Sequence, residues 1–423
     1  MRAEIVAVGT ELLLGQIADT NAQWMSQRLA EIGVDVVHHQ AVGDNLERIV
    51  DTLGLAASRA DVVLVCGGLG PTEDDITRDA IAVLAGAPLL HHDELERMLH
   101  EKFRRWSAIG VMPRSNLRQA SVPVGARWIL PDRGTAPGLI VELPGGVCLY
   151  GVPGVPDEMR EMMSGTILPE LRSLAGGDVI ASQVLRVAGL GESAVAERLA
   201  DLFTVAENPT IAYLASMGEV KVRLTAKAPS KPEAKELLTP LAAEVGARLG
   251  DVVFSTNDES LEATVLRLLG ESGRTLACAE SLTGGGVGER LTTVPGASAA
   301  FLGSAVVYTT EAKHRVLDVP DEVLAGGVVS EGCALAMATG ALRLYGADVA
   351  IALTGAAGPE PHDGAAPGTI WVALAAAEGT RHARGFFARG ERDRVRRWAE
   401  QAGLDLVRRY LQRVPLPETS LPA

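Results

Sequence analysis

Runs of strand-forming apolar residues alternate with stretches of helical period from Arg2 to about Gly86: Ala3 to Val8, then Asn21 to Ile32, Val34 to His38, Leu46 to Ala56 and Asp61 to Cys66. A strand that is apolar on every residue has to be covered on both faces, and a helix with one apolar stripe supplies that cover. The alternation therefore predicts a doubly wound α/β domain. A helix over 93–106 and strands over 127–129 and 139–143 complete it. Pro144-Gly145-Gly146 and Gly151-Val152-Pro153-Gly154-Val155-Pro156 read as turns, and another helix starts at Asp157.

At 423 residues the chain is long for one core, and three domains are expected, over 1–172, 173–252 and 253–413. The first boundary is marked by Ala175-Gly176-Gly177. The middle unit is short and mixed: strand 182–187, helix 192–202, strands 210–214 and 220–226, helix 232–249. Its loop Gly189-Leu190-Gly191-Glu192 is similar to the glycine loop of a KH-like nucleic-acid-binding module, without the lysine and arginine such a loop uses. The third unit returns to the α/β pattern, with strands over 275–279, 304–308, 349–353, 369–375 and 383–387 and a last helix over 392–412. The proline-rich tail, 414–423, is expected to be flexible.

A net charge of −14 repels polyanions, so nucleic acid is not an expected partner. Cys66, Cys148, Cys278 and Cys333 are scattered, the usage of a reducing compartment. Glu4 and Glu11 interrupt the first apolar stretch and no uncharged run is long enough to span a bilayer, so a cytoplasmic protein with no membrane partner is expected. His38-His39 and His91-His92 lack a suitably spaced further ligand, and no structural zinc site is expected.

Ser281 stands where the predicted strand 275–279 gives way to Thr283-Gly284-Gly285-Gly286. Open α/β sheets gather ligands outside the carboxyl ends of their strands, and glycines there let backbone N–H groups approach an anion or a developing oxyanion. Ser281 is thus either a nucleophile or a simple N-cap. No histidine is near to activate it. Lys313, one turn into the helix after Tyr308, is the alternative base if its pocket is dry, and a solvated helix lysine if it is not. Thr354-Gly355 ends another apolar strand, and Arg392 and Arg396 lie in a charged run that either grips a phosphate or faces solvent.

Ala279-Glu280-Ser281-x-Thr283-Gly284-Gly285, Thr293-Val294-Pro295-Gly296-Ala297-Ser298, Tyr308-x-x-Glu311-Ala312-Lys313, Val329-Ser330-Glu331, Thr354-Gly355-x-Ala357-Gly358-Pro359 and Pro367-Gly368-Thr369-x-Trp371 together resemble the C-terminal domain of the CinA family. The resemblance implies an amidohydrolase that converts nicotinamide mononucleotide (NMN) to nicotinic acid mononucleotide and ammonia, without a cofactor. It implies Ser281 as nucleophile, Lys313 as general base and Tyr308 as a supporting hydroxyl. It places substrate contacts on Thr283, Gly284, Gly285, Thr354 and Gly355, and a phosphate contact on Arg392 or Arg396. Leu282 departs from the cysteine that often follows the serine, which bears on packing.

In the N-terminal unit, Gly67-Gly68-Leu69-Gly70-Pro71-Thr72-Glu73-Asp74-Asp75 follows a predicted strand, and Gly9-Thr10-Glu11 with Asp19-Thr20-Asn21 follows the first one. The two loops are expected to share one crevice. Glycines suit a pyrophosphate and the acidic cluster suits a hard cation, the plainer reading being a glycine turn with an acidic helix start. With Asn116-x-x-Gln119-Ala120, Gly134-Thr135-Ala136-Pro137-Gly138 and the 149–159 segment, these loops resemble the molybdopterin-binding-like, three-layer α/β/α N-terminal domain of the same family. That resemblance implies hydrolysis of ADP-ribose to AMP and ribose 5-phosphate with a divalent cation of the cobalt or magnesium class, a monovalent cation being a further candidate. The expected contacts are Gly67, Gly68, Gly70 and Thr72 at the pyrophosphate, Thr10, Glu11, Asn21 and Asn116 along the crevice, and Asp74 and Asp75 at the metal. The family also implies a homodimer. The opposing reading is a non-catalytic nucleotide- or pterin-binding accessory protein linked to competence or DNA damage.

Overall fold

The computed structural model describes residues 1–106, 111–175, 178–216 and 218–421. The predicted boundary glycines 176 and 177 lie outside the described residues. The chain divides into two compact units, Met1–Ala181 with Lys227–Lys235, and Ser182–Ala226 with Glu236–Ala423.

The first unit runs β1 (Arg2–Val8), α1 (Thr10–Leu13), α2 (Thr20–Ala30), β2 (Asp35–Val42), α3 (Leu46–Ala57), β3 (Val62–Cys66), α4 (Thr77–Ala85), β4 (Leu89–His91), α5 (Asp93–Trp106), β5 (Ser121–Pro123), β6 (Arg127–Ile129), β7 (Gly138–Glu142), β8 (Cys148–Val152), α6 (Pro156–Met162) and α7 (Leu168–Ala175). Its six-stranded sheet has the order β2-β1-β3-β8-β7-β6, with β2, β1, β3 and β8 parallel. Alternate residues of β3 face opposite layers, so Val63 and Val65 pack with Ile49, Leu53 and Ile81, while Leu64 packs with Met25, Leu29 and Met159. This is the doubly wound three-layer α/β/α domain that the alternation predicts. Asp19 caps α2 through Ala22 N–H at 2.8 Å, and Asn45 caps α3 through Arg48 N–H at 3.1 Å.

β8 escapes the sequence pattern. It is five residues long, flanked by turn-forming glycines and prolines, and contains Gly151, a residue depleted in strands. A Cβ at Gly151 would stand 3.4 Å from Ile81 Cδ1, so the glycine lets α4 pack close to the sheet.

Two further sheets follow, the strands and helices of the first of them lying mostly, not wholly, within the second unit. β9 (Val179–Ala188), α8 (Glu192–Arg198), α9 (Ala200–Val205), β10 (Thr210–Ser216), β11 (Glu219–Ala228), α10 (Lys231–Leu249) and β12 (Val253–Ser255) make up the middle region, whose sheet has the order β10-β11-β9-β12. β12, placed by the sequence at the start of the third unit, pairs antiparallel with β9. The predicted helix over 192–202 is broken at Leu199. The glycine loop faces the side chains of Arg409 and Asp405 rather than standing free, since a Cβ at Gly189 would be 3.9 Å from both.

α11 (Leu261–Ser272), β13 (Leu276–Glu280), α12 (Gly286–Thr292), β14 (Phe301–Val306), α13 (Thr310–Leu317), α14 (Asp321–Ala325), α15 (Glu331–Tyr345), β15 (Val349–Gly355), β16 (Thr369–Ala376), β17 (Arg381–Phe387) and α16 (Arg392–Gln412) form the rest. The sheet order is β14-β13-β15-β16-β17, with β14, β13 and β15 parallel and β16 and β17 antiparallel. One face packs on α11, α12 and α16 through Val265, Leu269, Val287, Val395 and Leu404, and the other on α15 through Cys333, Met337 and Ala341.

The tail differs from the expectation of a free end. Ser420 N–H donates to Gly385 O at 2.8 Å, Gly385 N–H donates to Thr419 Oγ1 at 3.2 Å and Pro417 O lies 3.0 Å from His382 Nε2. β17 is an edge strand with unpaired backbone groups, and the tail covers them. Among the described residues, no helix is long and apolar enough to cross a membrane.

Candidate active site

In the last sheet β13 connects to β14 on one side, while β15 lies on the other, so the strand order reverses at β13. The crevice outside the carboxyl ends of these strands is where such sheets hold ligands. Ser281 follows β13, Lys313 follows β14 and Thr354 lies near the end of β15.

Lys313 Nζ is 3.0 Å from Ser281 Oγ, 3.0 Å from Val307 O and 3.5 Å from Tyr308 O. Thr309 caps α13 by accepting from Ala312 N–H, which starts the helix where its first turn carries Lys313 inward. The lysine is 1% exposed and the serine 7%. Both plainer readings therefore fail: Lys313 is not solvated, and Ser281 does not cap α12, whose N-cap is Gly285 with no side-chain cap. Burial holds the Lys313 amine below its ordinary pKa, with Cys333 acting in the opposite sense. Burial also pushes the Cys333 thiol up to about 11, so it stays neutral beside the amine. Its three oxygen neighbours, the Ser281 hydroxyl and the carbonyls of Val307 and Tyr308, hold the amine against the serine.

The glycine loop differs from the expected anion cradle. Glu280, the last residue of β13 and fully buried, accepts from Gly285 N–H and Val287 N–H at 3.0 Å through Oε2, and from Gly288 N–H at 2.9 Å and Ser304 Oγ at 2.7 Å through Oε1. The donors at the start of α12 are thus taken by a carboxylate of the chain itself, which leaves the Gly285 N–H unavailable to substrate. Sequence reasoning missed Glu280, whose only signal was an acidic residue at the end of an otherwise apolar strand.

Thr283 is fully buried, and its Oγ1 has no partner among the described residues. Gly284 N–H donates to Ser281 O at 3.1 Å, which turns the chain back on itself. Thr354 Oγ1 donates to Val328 O at 2.7 Å, and Gly355 is a strand residue paired with Ile370 whose Cβ would meet Thr369 O, so these two residues hold the crevice wall. Arg396 donates to Leu282 O at 3.2 Å and Thr283 O at 2.6 Å, bracing the serine loop. Arg392 donates to Gly358 O at 2.8 Å and to Tyr308 Oη at 2.6 Å. The Tyr308 ring is exposed, and its described hydroxyl contact is with Arg392 rather than with the Ser281–Lys313 pair.

In the first unit the strand order reverses at β1, and the loops after β1 and β3 meet as expected. A Cβ at Gly67 would stand 2.2 Å from Val8 O, and one at Gly68 2.2 Å from Thr77 Oγ1. Asn21 Nδ2 donates to Gly154 O at 2.7 Å, while Asn21 Oδ1 and Thr77 Oγ1 are buried without partners among the described residues. Thr10 is tied to Asp44 at 2.7 Å and Asn116 to Gln119 at 3.1 Å. Glu11 folds over Gly9, and Gly70 packs against Asp75.

Among the described residues, Asp74 and Asp75 join no group of three metal-ligating side chains. Asp75 Oδ2 accepts from Thr72 N–H at 2.8 Å and from the Thr72 hydroxyl, closing its own turn. Asp74 is exposed, its carboxyl held below the ordinary range by the Thr72 hydroxyl first and by its own backbone N–H second. Among the described residues, the one place where three metal-ligating side chains converge is His91, Asp93 and Glu96, which are not fully buried. Glu96, 2.6 Å from His91 Nε2, is the acidic partner that sequence reasoning had not found for that histidine, because a helix turn brings it back to the end of β4.

Three family descriptions match the chain: residues 4–173 match a probable molybdopterin binding domain, residues 182–255 the damage-inducible protein CinA KH domain, and residues 258–411 the CinA C-terminal domain. A CinA-like protein from Frankia casuarinae is 45% identical over 426 residues, covering 99% of this chain and 98% of the relative. A putative competence-damage inducible protein from Symbiobacterium thermophilum is 44% identical over 429 residues, covering 97% and 99%. A crystal structure of CinA from Thermoplasma acidophilum is 32% identical, covers 39% of this chain and 95% of that one, and has a TM-score of 0.37. Such identity over nearly the full length of both chains places this protein in the CinA family.

Proposed function

We propose that the C-terminal domain is a Ser/Lys amidohydrolase acting on the carboxamide of NMN. The observation that carries this reading is the 3.0 Å contact between Ser281 Oγ and the buried amine of Lys313. Ser281 Oγ attacks the amide carbon as its proton passes to Lys313 Nζ. Lys313 returns that proton to the nitrogen, which leaves as ammonia and an ester on Ser281. Water attacks the ester, gives its proton to Lys313, and the proton goes back to Ser281 as the carboxylate product departs. The Leu282 N–H, which follows the nucleophile in the chain, is taken as the oxyanion donor, since those of Gly285, Val287 and Gly288 are engaged by Glu280.

Arg392 is the better candidate for the substrate phosphate, because it is exposed, whereas Arg396 is partly buried and braces the serine loop through two of its carbonyls. Arg392→Ala is expected to raise KM for NMN about tenfold while kcat changes less than about threefold, as measured by steady-state ammonia release. The test of the whole reading is to incubate the pure protein with NMN. Stoichiometric ammonia and nicotinic acid mononucleotide support it, and unchanged NMN contradicts it.

The N-terminal crevice is proposed as a second nucleotide site, with ADP-ribose as its substrate. Asn21 Oδ1 and Thr77 Oγ1, buried beside Gly67 and Gly68 and without partners among the described residues, are the observation in its favour. Asp74 and Asp75 do not fit a metal centre as they stand, and no step is assigned to a cation. Gly68→Ala places a methyl against Thr77 at a φ of 67°, and is expected to abolish any AMP release from ADP-ribose in the presence of cobalt or magnesium while sparing NMN turnover. AMP release at the wild-type rate in that variant contradicts the placement, and silence of the wild type towards both substrates favours the accessory-protein reading. A homodimer is proposed on the family resemblance; light scattering that gives the mass of one chain contradicts it.

A further inference from the structure

The cap of α12 does not come from its own N-cap position. Helices ordinarily take a Ser, Thr, Asp or Asn immediately before their first turn, and α12 has Gly285 there. Its cap is the carboxylate of Glu280, which lies on the other side of Ser281 in the chain. The Glu280 backbone is itself fixed in the sheet, its carbonyl accepting from Val307 N–H at 2.8 Å, while Ser281 N–H donates to Leu353 O at 2.9 Å. The side chain then reaches across the serine loop to three N–H groups of the helix start and to Ser304 Oγ of β14.

Ser281 is therefore held inside a loop whose two ends are joined by one buried carboxylate. That carboxylate is fully buried and forms no ion pair with Lys or Arg among the described residues; four hydrogen-bond donors balance its desolvation. A cap that only had to start a short helix would not need a buried charge, nor one that spans the nucleophile.

We propose that Glu280 is a positioning residue, which fixes Ser281 Oγ against Lys313 Nζ and bars the start of α12 to the substrate's phosphate. The proposal rests on the Ser/Lys reading above. A displacement of the nucleophile of about 1 Å is enough to cost about a hundredfold in rate, while substrate held by α16 is bound nearly as before.

The test uses the full chain, with NMN turnover and with a fluorophosphonate probe, whose phosphorus bonds to Ser281 Oγ as fluoride leaves and Lys313 takes the proton. Glu280→Gln puts an amide among four donors, and is expected to lower both kcat and the labelling rate about a hundredfold with KM within about threefold. Ser304→Ala keeps the carboxylate and removes one donor, and is expected to lower both about three- to tenfold with the circular dichroism spectrum of the wild type. If Glu280→Gln does not fold, Ser304→Ala decides. Folded variants with wild-type labelling and kcat, or a loss confined to KM, overturn the proposal. A wild-type protein that the probe labels elsewhere than Ser281 overturns the Ser/Lys reading itself, and the positioning role with it.

Discussion

Ser281→Ala is expected to lower ammonia release from NMN by about 10⁴-fold or more, because the acyl transfer loses its nucleophile and the oxyanion donor alone remains. The variant should fold. Ser281 is buried but contributes one hydroxyl to the interior, and removing it deprives Lys313 Nζ of one of its three neighbours, a cost of about 1 kcal/mol. Calorimetry alongside the ammonia assay separates the two effects. Activity within about tenfold of the wild type would mean that water, not Ser281, attacks the amide.

Lys313→Met should lose activity to a similar extent, but it should also gain stability at neutral pH. The amine's pKa is depressed in the folded chain, so between that lowered value and the ordinary 10.5 the unfolded chain binds more protons than the folded one. Burying the amine therefore costs stability below this window, and the cost is relieved as pH rises through it. Methionine removes the titration. Denaturation at a series of pH values should show wild-type stability rising through the window and no such component in Lys313→Met, with a gain of order 1 kcal/mol near neutrality after the loss of the bond to Val307 O. The same titration governs catalysis: kcat/KM should rise with pH to a plateau as Lys313 becomes neutral. A profile that falls across that range would point to an acid in place of a base.

The positions of Ser281 and Lys313 were legible because strand ends in a parallel sheet follow from apolar runs, and the residue just past such an end has few places to go. Their burial was not legible, since it depends on α15 bringing Cys333 beside Lys313. Glu280 was hidden for a related reason. A glutamate closing a strand reads as its polar end, and only the doubling back of the chain at Gly284 brings its carboxylate to the helix start. β8 was lost to its glycine and its flanking turns, and the tail along β17 has no period to read. In the N-terminal crevice the glycines indicated the close approach of two loops, whereas the acidic cluster suggested a metal site that the folded loop turns into its own hydrogen bonds.

Cleavage of the amide through an ester on Ser281 is what separates this mechanism from direct attack by water. The most direct measurement is turnover of NMN in the presence of hydroxylamine, which competes with water for such an ester. A hydroxamate of the mononucleotide is expected at the expense of the carboxylate product, with ammonia release undiminished and all products lost in Ser281→Ala. Undiminished ammonia release with the carboxylate as sole product, at every hydroxylamine concentration, would contradict it.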